Sequence, residues 1–231
     1  MPAIFITGAN RGIGLGLAAY YLAQGWHVFA ACRQPEQASA LHEAEQHYPG
    51  LLTLVALDVT ADASIDTAWQ QVSAKTTHLD VLINNAGVLH PSAKADDLTA
   101  VMLHEAFAVN TIAPFMVARR FGDLLHAGAK LVNITMPTQP ITRLVRRENH
   151  AYVASRYALN ALTKMLALEW AERGIISVGL YPGYLQTDMN QHAAAAKPLT
   201  EGIPLVANVI ATLTAEHNGL CLLPDGKAYE W

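Results

Sequence analysis

Short apolar segments alternate with amphipathic segments along the whole chain, and this alternation restricts the fold more than any other feature. The apolar segments have the length and the β-branched or aliphatic composition of strands, and they read IFIT, WHVFAA, LLTLVAL, LDVLINN, KLVNIT, IISVGLY and LCLL. The amphipathic segments have helical periodicity and lie near residues 12–24, 36–47, 62–75, 98–126, 152–172 and 201–214. The alternation predicts parallel βαβ units, and strands that are apolar throughout predict helices on both faces of the sheet. We therefore expect a doubly wound α/β fold.

Length and composition fit a single globular domain. The chain has 231 residues, of which 52% are hydrophobic and 15% are charged, so it is too apolar to be a disordered protein. No repeat, low-complexity linker or change of composition marks a second domain. Residues 1–231 are therefore predicted to form one domain.

Charge and cysteine content exclude several classes of function. The formal net charge of −4 gives the chain no general attraction to nucleic acid or to an anionic membrane. The two cysteines, Cys32 and Cys221, have neither CxxC nor zinc-site spacing, which is typical of a protein from a reducing compartment. The ten histidines form no HExxH motif or compact cluster with carboxylates, so we predict no metal.

The start of the chain and its apolar segments carry no targeting or membrane signal. Residues 1–6 lead into a glycine-containing turn without the charged and apolar regions of a secretory signal. Long apolar stretches are interrupted, as Asn110 and Pro114 interrupt AVNTIAPFMVA, and none reaches the roughly 18 residues that a membrane span needs. We expect a cytoplasmic protein without a transmembrane segment.

The first βα turn has the composition of a phosphate site. It reads TGANRGIG, from Thr7 to Gly14, and it follows a predicted strand and opens a predicted helix. Glycines allow a tight turn and close approach of the backbone, and the N–H groups at the start of the helix attract a pyrophosphate. The spacing differs from GxGxxG, and on this evidence a turn that serves packing alone is an equal alternative.

Two arginines predict which dinucleotide such a turn would bind. NAD enzymes often have an acidic residue at the end of the second strand, where it bonds the ribose hydroxyls. Here that strand ends at Arg33, and the first acidic residue after it is Glu36. Arg33, together with Arg11 in the glycine turn, could pair with a 2′-phosphate, which favours NADP (NADPH) over NAD. The alternative is that both are exposed surface arginines.

Residues 136–149 are predicted to form a loop, because they include two prolines and three arginines after a predicted strand. Open α/β sheets bind ligands beyond the carboxyl ends of their strands, so this loop is a candidate wall of a substrate pocket. Arg143, Arg146 and Arg147 are interpreted as a solvated surface run, with anion recognition as the alternative.

Together these motifs resemble the short-chain dehydrogenase/reductase (SDR) family along almost the whole chain. The resemblance rests on TGANRGIG, LDVT (57–60), NNAG (84–87), AVNT around Asn110, LVNIT (131–135), YVASR (152–156) and YPGYLQTDM (181–189). The ending, residues 224–231, is similar to that of a small subgroup of short reductases, the C-factor and sniffer-type carbonyl reductases.

The resemblance implies a Rossmann-type, seven-stranded, mostly parallel sheet that binds NAD(P). Asp58 and Val59 would lie beside the adenine, and Thr187 would contact the nicotinamide carboxamide. The complete predicted cofactor site consists of Gly8, Asn10, Arg11, Gly12, Ile13, Gly14, Arg33, Asp58, Val59, Asn85, Ala86, Gly87, Tyr152, Arg156, Pro182, Gly183 and Thr187. The family commonly dimerises through two long helices, here residues 98–126 and 152–172, which implies a homodimer or homotetramer.

The resemblance also implies a catalytic set, from which the chain departs at two positions. In the family a serine and a tyrosine bind the substrate carbonyl, and a lysine and an asparagine support proton transfer. Tyr152 and Asn110 match this set. Arg156 replaces the lysine, and Met136 occupies the serine position.

Both departures bear on turnover more than on cofactor binding. Methionine is not a useful hydrogen-bond donor, although the neighbouring hydroxyl of Thr135, or that of Thr138, could replace the serine. Arg156 keeps the positive charge that stabilises the Tyr152 phenolate, but an arginine does not give up its proton as a lysine does. Without the other motifs, a tyrosine and an arginine at i,i+4 would be interpreted as helix packing.

Three functions follow from these residues. The leading one is an NADPH-dependent oxidoreductase that interconverts a carbonyl and an alcohol on a small organic substrate, with Tyr152 as the acid/base. The second is a catalytically impaired protein that binds NADP as a sensor or partner, which Met136 and Arg156 favour. The third is an elimination or isomerisation in the same pocket.

Overall fold

Strands and helices alternate along the chain in the computed structural model, which describes residues 1–92 and 94–231. The elements are β1 (Ala3–Thr7), α1 (Gly12–Ala23), β2 (His27–Cys32), α2 (Ser39–His47), β3 (Leu52–Ala56), α3 (Asp62–Ser73), β4 (Leu79–Asn84), α4 (Ala100–Phe107), α5 (Ala113–Phe121), β5 (Leu125–Ile134), α6 (His150–Glu169), β6 (Ile176–Leu180), α7 (Leu199–Thr212) and β7 (Cys221–Leu222).

The seven strands form one sheet in the order β3-β2-β1-β4-β5-β6-β7. All six pairs of neighbouring strands are parallel, where the sequence predicted a mostly parallel sheet. The order reverses between β1 and β4, which is the position where doubly wound sheets bind ligands at the carboxyl ends of their strands. The predicted doubly wound, Rossmann-type fold is confirmed.

The sheet separates two hydrophobic cores. Along β1, Ile4 and Ile6 belong to the core on one face and Phe5 to the core on the other, because successive side chains of a strand point to opposite faces. The ring of Phe5 lies 4.4 Å from that of Phe121 of α5, measured between centroids. Burial on both faces explains why the strands are apolar at nearly every position.

The predicted helix over residues 98–126 differs from the structure. A π-helical turn, Ala108–Ile112, separates α4 from α5, and β5 already begins at Leu125. The π turn places the side chain of Asn110 in the interior, where it bonds the backbone of Val88. The first part of β5, LHAGA, contains no continuous apolar run, so the sequence predicted only its later half.

The helical run Ala100–Leu124 has the length and the apolar composition of a membrane span. In this fold it is one of the layers that cover the sheet, since Val117, Ala118 and Phe121 are fully buried in the core. The side chain of Thr111 is also buried, and its hydroxyl donates to the carbonyl of Ser155. Packing on the sheet thus accounts for part of the apolar composition of the run, while Val101 and Ile112 remain exposed.

Leu17 provides a test of the core beneath the first helix. It is fully buried, so Leu17→Ala is expected to lower the free energy of unfolding by about 2 to 5 kcal/mol through lost burial and a cavity. Leu205→Ala is the matched control, because Leu205 is 43% exposed and its truncation should change stability by less than about 0.5 kcal/mol. Denaturant unfolding measures both, and equal midpoints for the two variants would contradict this packing.

Candidate functional site

A cleft of about 1120 Å³ lies across the carboxyl ends of the strands. Most of the residues that the sequence assigns to the cofactor or to catalysis line it: Gly8, Asn10, Arg11, Gly12, Ile13, Arg33, Asp58, Val59, Asn85, Ala86, Gly87, Thr135, Tyr152, Arg156, Pro182, Gly183 and Thr187. Gly14 and Asn110 are set behind the surface of the cleft, both of them buried. The fold therefore brings together residues that are far apart in the sequence.

The glycine turn forms one side of the cleft and is held from the neighbouring strand. Gly8 has a φ of +65°, and a Cβ there would lie 3.0 Å from the Cα of Ala86. Asn85 donates its side-chain amide to the carbonyls of Thr7 (2.9 Å) and Gly8 (3.1 Å). Gly14 has no room for a side chain, because a Cβ would collide with the carbonyl of Gly8. Glycine is thus required here for close packing as well as for the turn.

The start of α1 leaves its first N–H groups free to bind an anion. Arg11 precedes the helix with an extended backbone, and its side chain does not cap these groups. Unpaired N–H groups at a helix start, beside a turn where the backbone is bare, fit a pyrophosphate. This geometry supports the phosphate-site interpretation of the glycine turn over one of packing alone.

Arg33 and Asp58 lie side by side at the ends of β2 and β3. The backbone N–H and the hydroxyl of Thr60 donate to Asp58 Oδ1, at 2.9 and 2.7 Å. These hydrogen bonds hold the pKa of Asp58 below its ordinary value, and the charge of Arg33 adds to the effect. Asp58 is therefore ionised at neutral pH, and Arg33 is the exposed cation of this end of the cleft.

Arg11 forms an ion pair that links the two walls of the cleft. Its Nη1 lies 3.2 Å from Oδ2 of Asp188, which belongs to the segment after β6. His192 also approaches Asp188, at 2.9 Å, and its hydrogen bond and Arg11 together hold the pKa of Asp188 below the ordinary value. Both members of the Arg11 pair are more than half exposed, so the pair contributes little to stability.

Tyr152 and Arg156 lie one helical turn apart at the start of α6. The guanidinium carbon of Arg156 is 5.0 Å from the centre of the Tyr152 ring. Arg156 is buried and donates from Nη1 to the carbonyl of Ile134 at 3.2 Å, while Nη2 lies 2.5 Å from the point that a Cβ on Gly87 would occupy. Among the described residues, nothing accepts a hydrogen bond from its buried Nε. The side chain thus retains an unused donor next to the predicted cofactor wall.

Asn110 fixes the segment that follows Gly87. Its Oδ1 accepts from the N–H of Val88 at 2.8 Å, and its Nδ2 donates to the carbonyl of Val88 at 2.9 Å and to the hydroxyl of Ser155 at 3.1 Å. The π turn in the α4–α5 run makes this contact by turning Asn110 inward. Asn110 therefore connects the wall of the cleft to the helix that carries Tyr152.

The structure argues against Thr135 and Thr138 as replacements for the missing serine. The hydroxyl of Thr135 donates to Oδ1 of Asn160 at 2.8 Å, and Nδ2 of Asn160 donates to the hydroxyl of Thr138 at 3.0 Å. Both threonines are buried, and Thr138 is absent from the lining of the cleft. The Tyr229 hydroxyl also donates to the carbonyl of Met136 at 2.9 Å, which fixes the backbone at the serine position.

A family model described as short chain dehydrogenase matches residues 2–198. The chain belongs to the short-chain dehydrogenase family. The match includes the glycine turn, the NNAG segment and the helix that carries Tyr152, so the resemblance predicted from these motifs is confirmed.

Two solved structures share the fold of this dehydrogenase family member over its whole length. The NADPH-bound carbonyl reductase from chicken fatty liver is 32% identical, with a TM-score of 0.92 over 100% of this chain and 99% of the other. Carbonyl reductase Sniffer of D. melanogaster is 28% identical, with a TM-score of 0.92 over 100% of both chains. The placement beside sniffer-type carbonyl reductases is thereby confirmed.

Curated relatives of this SDR chain are named as oxidoreductases and dehydrogenases. An uncharacterized oxidoreductase of Schizosaccharomyces pombe is 30% identical over 213 residues, which is 91% of this chain and 83% of the relative. Galactitol 2-dehydrogenase (L-tagatose-forming) of Cereibacter sphaeroides is 33% identical over 189 residues, which is 80% of this chain and 71% of the relative. These names agree with the expectation that the chain is an enzyme of the SDR class.

Several residues of this SDR site escaped the sequence interpretation. Tyr181, Tyr184 and Asp188 line the cleft from the segment that follows β6, and Glu105 lines it from α4. The sequence did carry a signal for the first three, because they lie at the end of the predicted strand IISVGLY and in the YPGYLQTDM segment, and this fold binds ligands at the carboxyl ends of its strands. No signal marked Glu105, which lies within a helix.

Asn160 provides a test of the buried network behind the serine position. Asn160→Ala leaves the hydroxyls of Thr135 and Thr138 without their partner, and we expect the free energy of unfolding to fall by about 1 to 3 kcal/mol. Asn208→Ala is the matched control, since Asn208 is exposed on α7 and its truncation should cost less than about 0.5 kcal/mol. Equal denaturation midpoints for the two variants would show that the network contributes nothing.

Proposed function

We propose that this SDR protein is an NADP(H)-dependent oxidoreductase that interconverts a carbonyl and an alcohol on a small organic substrate. The observation that carries the proposal is the position of Tyr152 and Arg156 in the same cleft as the glycine turn. The phenol and the cation lie at the carboxyl ends of the central strands, and the anion-binding start of α1 lies at the other wall. A dinucleotide held by that turn would reach the tyrosine.

The residues present fit a dinucleotide, as the bare glycine turn and the orphaned Nε of Arg156 indicate. When bound, the nicotinamide ring supplies or accepts the hydride. The backbone around Gly12 would hold the pyrophosphate, Asp58 would face the adenine end, and Thr187 and Arg156 would hold the nicotinamide end. Gly87 leaves room for the Arg156 guanidinium, whose free donor suits a ribose hydroxyl.

The preference for NADP rests on Arg33 and Arg11. Both line the cleft, and the position directly after β2, where NAD enzymes often have an acidic residue, is occupied by Arg33. A guanidinium pairs with a phosphate through two parallel charge-assisted hydrogen bonds. The NADPH-bound carbonyl reductase of chicken fatty liver, similar over the whole chain, supports the same choice.

In the reductive direction, Tyr152 donates its proton to the oxygen that gains charge as the carbonyl is reduced. Arg156, 5.0 Å from the ring centre, stabilises the resulting phenolate through its positive charge. Arginine keeps its proton at any accessible pH, so Arg156 cannot pass one on, and Tyr152 is reprotonated from solvent that enters the cleft. Asn110 holds the adjoining wall in place. The substitution of lysine by arginine thus keeps the positive charge and removes the group that could pass a proton to Tyr152.

A second candidate function is cofactor binding without turnover, for example in a sensor or partner protein. The observation that favours it is the serine position, where Met136 offers no donor and Tyr229 fixes its backbone. Loss of one oxyanion donor lowers rates by about 10² to 10³ in a well-studied enzyme, which weakens catalysis without abolishing it. For that reason we place the oxidoreductase first.

We further propose that the chain acts in the cytoplasm as one domain, residues 1–231, that assembles into a homodimer or homotetramer. The support is a pair of apolar helix faces without a covering layer in the described chain. Val101 and Ile112 of the α4–α5 run are 71% and 55% exposed, and Met165 and Leu168 of α6 are 63% and 66% exposed. Apolar groups of this size on adjacent long helices are typical of a subunit interface.

Cofactor titrations test the role of Arg33. The wild type should bind NADPH at least ten times more tightly than NADH, and Arg33→Ala should weaken NADPH binding by about 10- to 100-fold while NADH binding stays the same, because only NADPH loses a charge-assisted pair. Arg143→Ala is the matched control, since Arg143 is exposed and pairs with Glu230 away from the cleft. An equal loss for both cofactors would contradict the 2′-phosphate assignment.

Turnover of NADPH with a panel of aldehydes and ketones tests the activity itself. Tyr152→Phe should reduce kcat by about 10² to 10⁴ without changing the NADPH dissociation constant, because it removes only the proton donor. The non-catalytic function would be supported instead by two results together. The wild type would bind NADPH without any turnover, and the Met136→Ser, Arg156→Lys double variant would gain activity.

A further inference from the structure

The serine position of this SDR site has no hydrogen-bond donor, and the neighbouring residues of the same segment do not supply one. Met136 occupies it, and Tyr229 fixes its carbonyl. The nearest hydroxyls in the sequence are those of Thr135, which donates a hydrogen bond to Oδ1 of Asn160, and of the buried Thr138. A second donor to a substrate oxygen would therefore have to come from another strand.

Tyr181 directly follows β6, the strand next to β5, and is aligned with Thr135, which directly follows β5. In the β5–β6 pair, Ile134 is aligned with Leu180, so Tyr181 follows its strand at the point where Thr135 follows the other. The N–H of Thr135 donates to the carbonyl of Leu180 at 3.0 Å, and the N–H of Tyr181 donates to the carbonyl of Leu222 at 2.9 Å. The backbone at Tyr181 is thus hydrogen-bonded to both neighbouring strands, and it lies beside the segment that carries the serine position.

The phenol of Tyr181 shares the cleft with that of Tyr152. Tyr181 is half-buried in the lining, and neither phenol has a hydrogen-bond partner within residues 1–92 and 94–231. Tyr152, Arg146 and Tyr184 are close enough to act on Tyr181 electrostatically. Two unpaired phenols therefore face the same space, beside the buried cation Arg156.

The charge state of Tyr181 suits a hydrogen-bond donor. Burial raises its pKa above the ordinary value, the nearby Tyr152 contributes to the rise, and Arg146 opposes it. The phenol therefore keeps its proton throughout the pH range in which the protein would work.

We propose that Tyr181 is a catalytic residue, the second hydroxyl donor to the substrate carbonyl oxygen, in the role that serine fills in the family. The proposal rests on the oxidoreductase function above. As the carbonyl carbon gains a hydride, its oxygen takes the proton of Tyr152 and accepts a hydrogen bond from Tyr181, which keeps its own proton. The carbonyl oxygen is thus held between two phenols that project from β6 and α6.

Tyr181→Phe tests this role, since it removes one oxygen and keeps the ring. We expect kcat/KM for a ketone to fall by about 10² to 10³ with no change in NADPH affinity. Adding Met136→Ser to Tyr181→Phe should recover at least ten-fold of the loss, because a donor returns from β5. Tyr48→Phe is the matched control and should keep full activity, since Tyr48 lies at the end of α2, outside the cleft.

Ketone binding to the NADP⁺-loaded protein gives a readout without turnover. The Tyr181→Phe variant should bind the ketone about 3- to 10-fold more weakly than the wild type, as expected for one lost neutral hydrogen bond. Equal ketone affinities, or a kcat/KM within three-fold of the wild type, would overturn the role of Tyr181. Absence of turnover in the wild type would overturn the oxidoreductase function instead, and the binding comparison would still decide for or against Tyr181.

Discussion

The parallel alignment of the seven strands is the constraint on which the site depends. Because every strand runs in the same direction, all the segments that follow the strands emerge at one edge, and the side chains there meet although they come from distant parts of the sequence. The glycine turn follows β1, Arg33 follows β2, Asp58 follows β3, and Gly87 and Tyr181 follow β4 and β6. If one strand ran in the opposite direction, the segment that follows it would emerge at the other edge of the sheet, away from the site.

The buried groups around Met136 accommodate its departure from the family pattern. Met136 removes a donor, and the surrounding buried groups are satisfied without it, since Asn160 pairs with both neighbouring threonines and Tyr229 pairs with the backbone of Met136 itself. A buried polar group without a partner is costly, so this network stabilises the methionine-containing arrangement. The backbone and the polar side chains around Met136 are thus paired with one another rather than with a serine hydroxyl at that position.

Much of the fold and the cofactor side of the site could be predicted, because strand composition, glycine turns and strand ends are local signals. Prediction failed where the outcome depends on contacts between distant segments. The hydroxyl of Thr135 lies near the serine position in sequence, yet it is taken up by Asn160, which is 25 residues away on another element. The π turn at Asn110 splits a helix that looks continuous in the sequence, and it directs the Asn110 side chain to the backbone of Val88 in the segment after β4. Neither pairing leaves a periodic pattern in the sequence.

The ion pair between Arg11 and Asp188 has a consequence for how the cleft is entered. The arginine that would hold a cofactor phosphate is already neutralised by a carboxylate from the opposite wall, at 3.2 Å. An incoming phosphate meets a guanidinium that already shares Nη1 with that carboxylate, so its attraction to Arg11 is partly offset by the negative charge of Asp188. His192 lies 2.9 Å from the other oxygen of Asp188, so the carboxylate has a second partner on its own segment. Binding at the adenosine end is in this way a competition between two anions for one arginine, which lowers the gain from the phosphate contact.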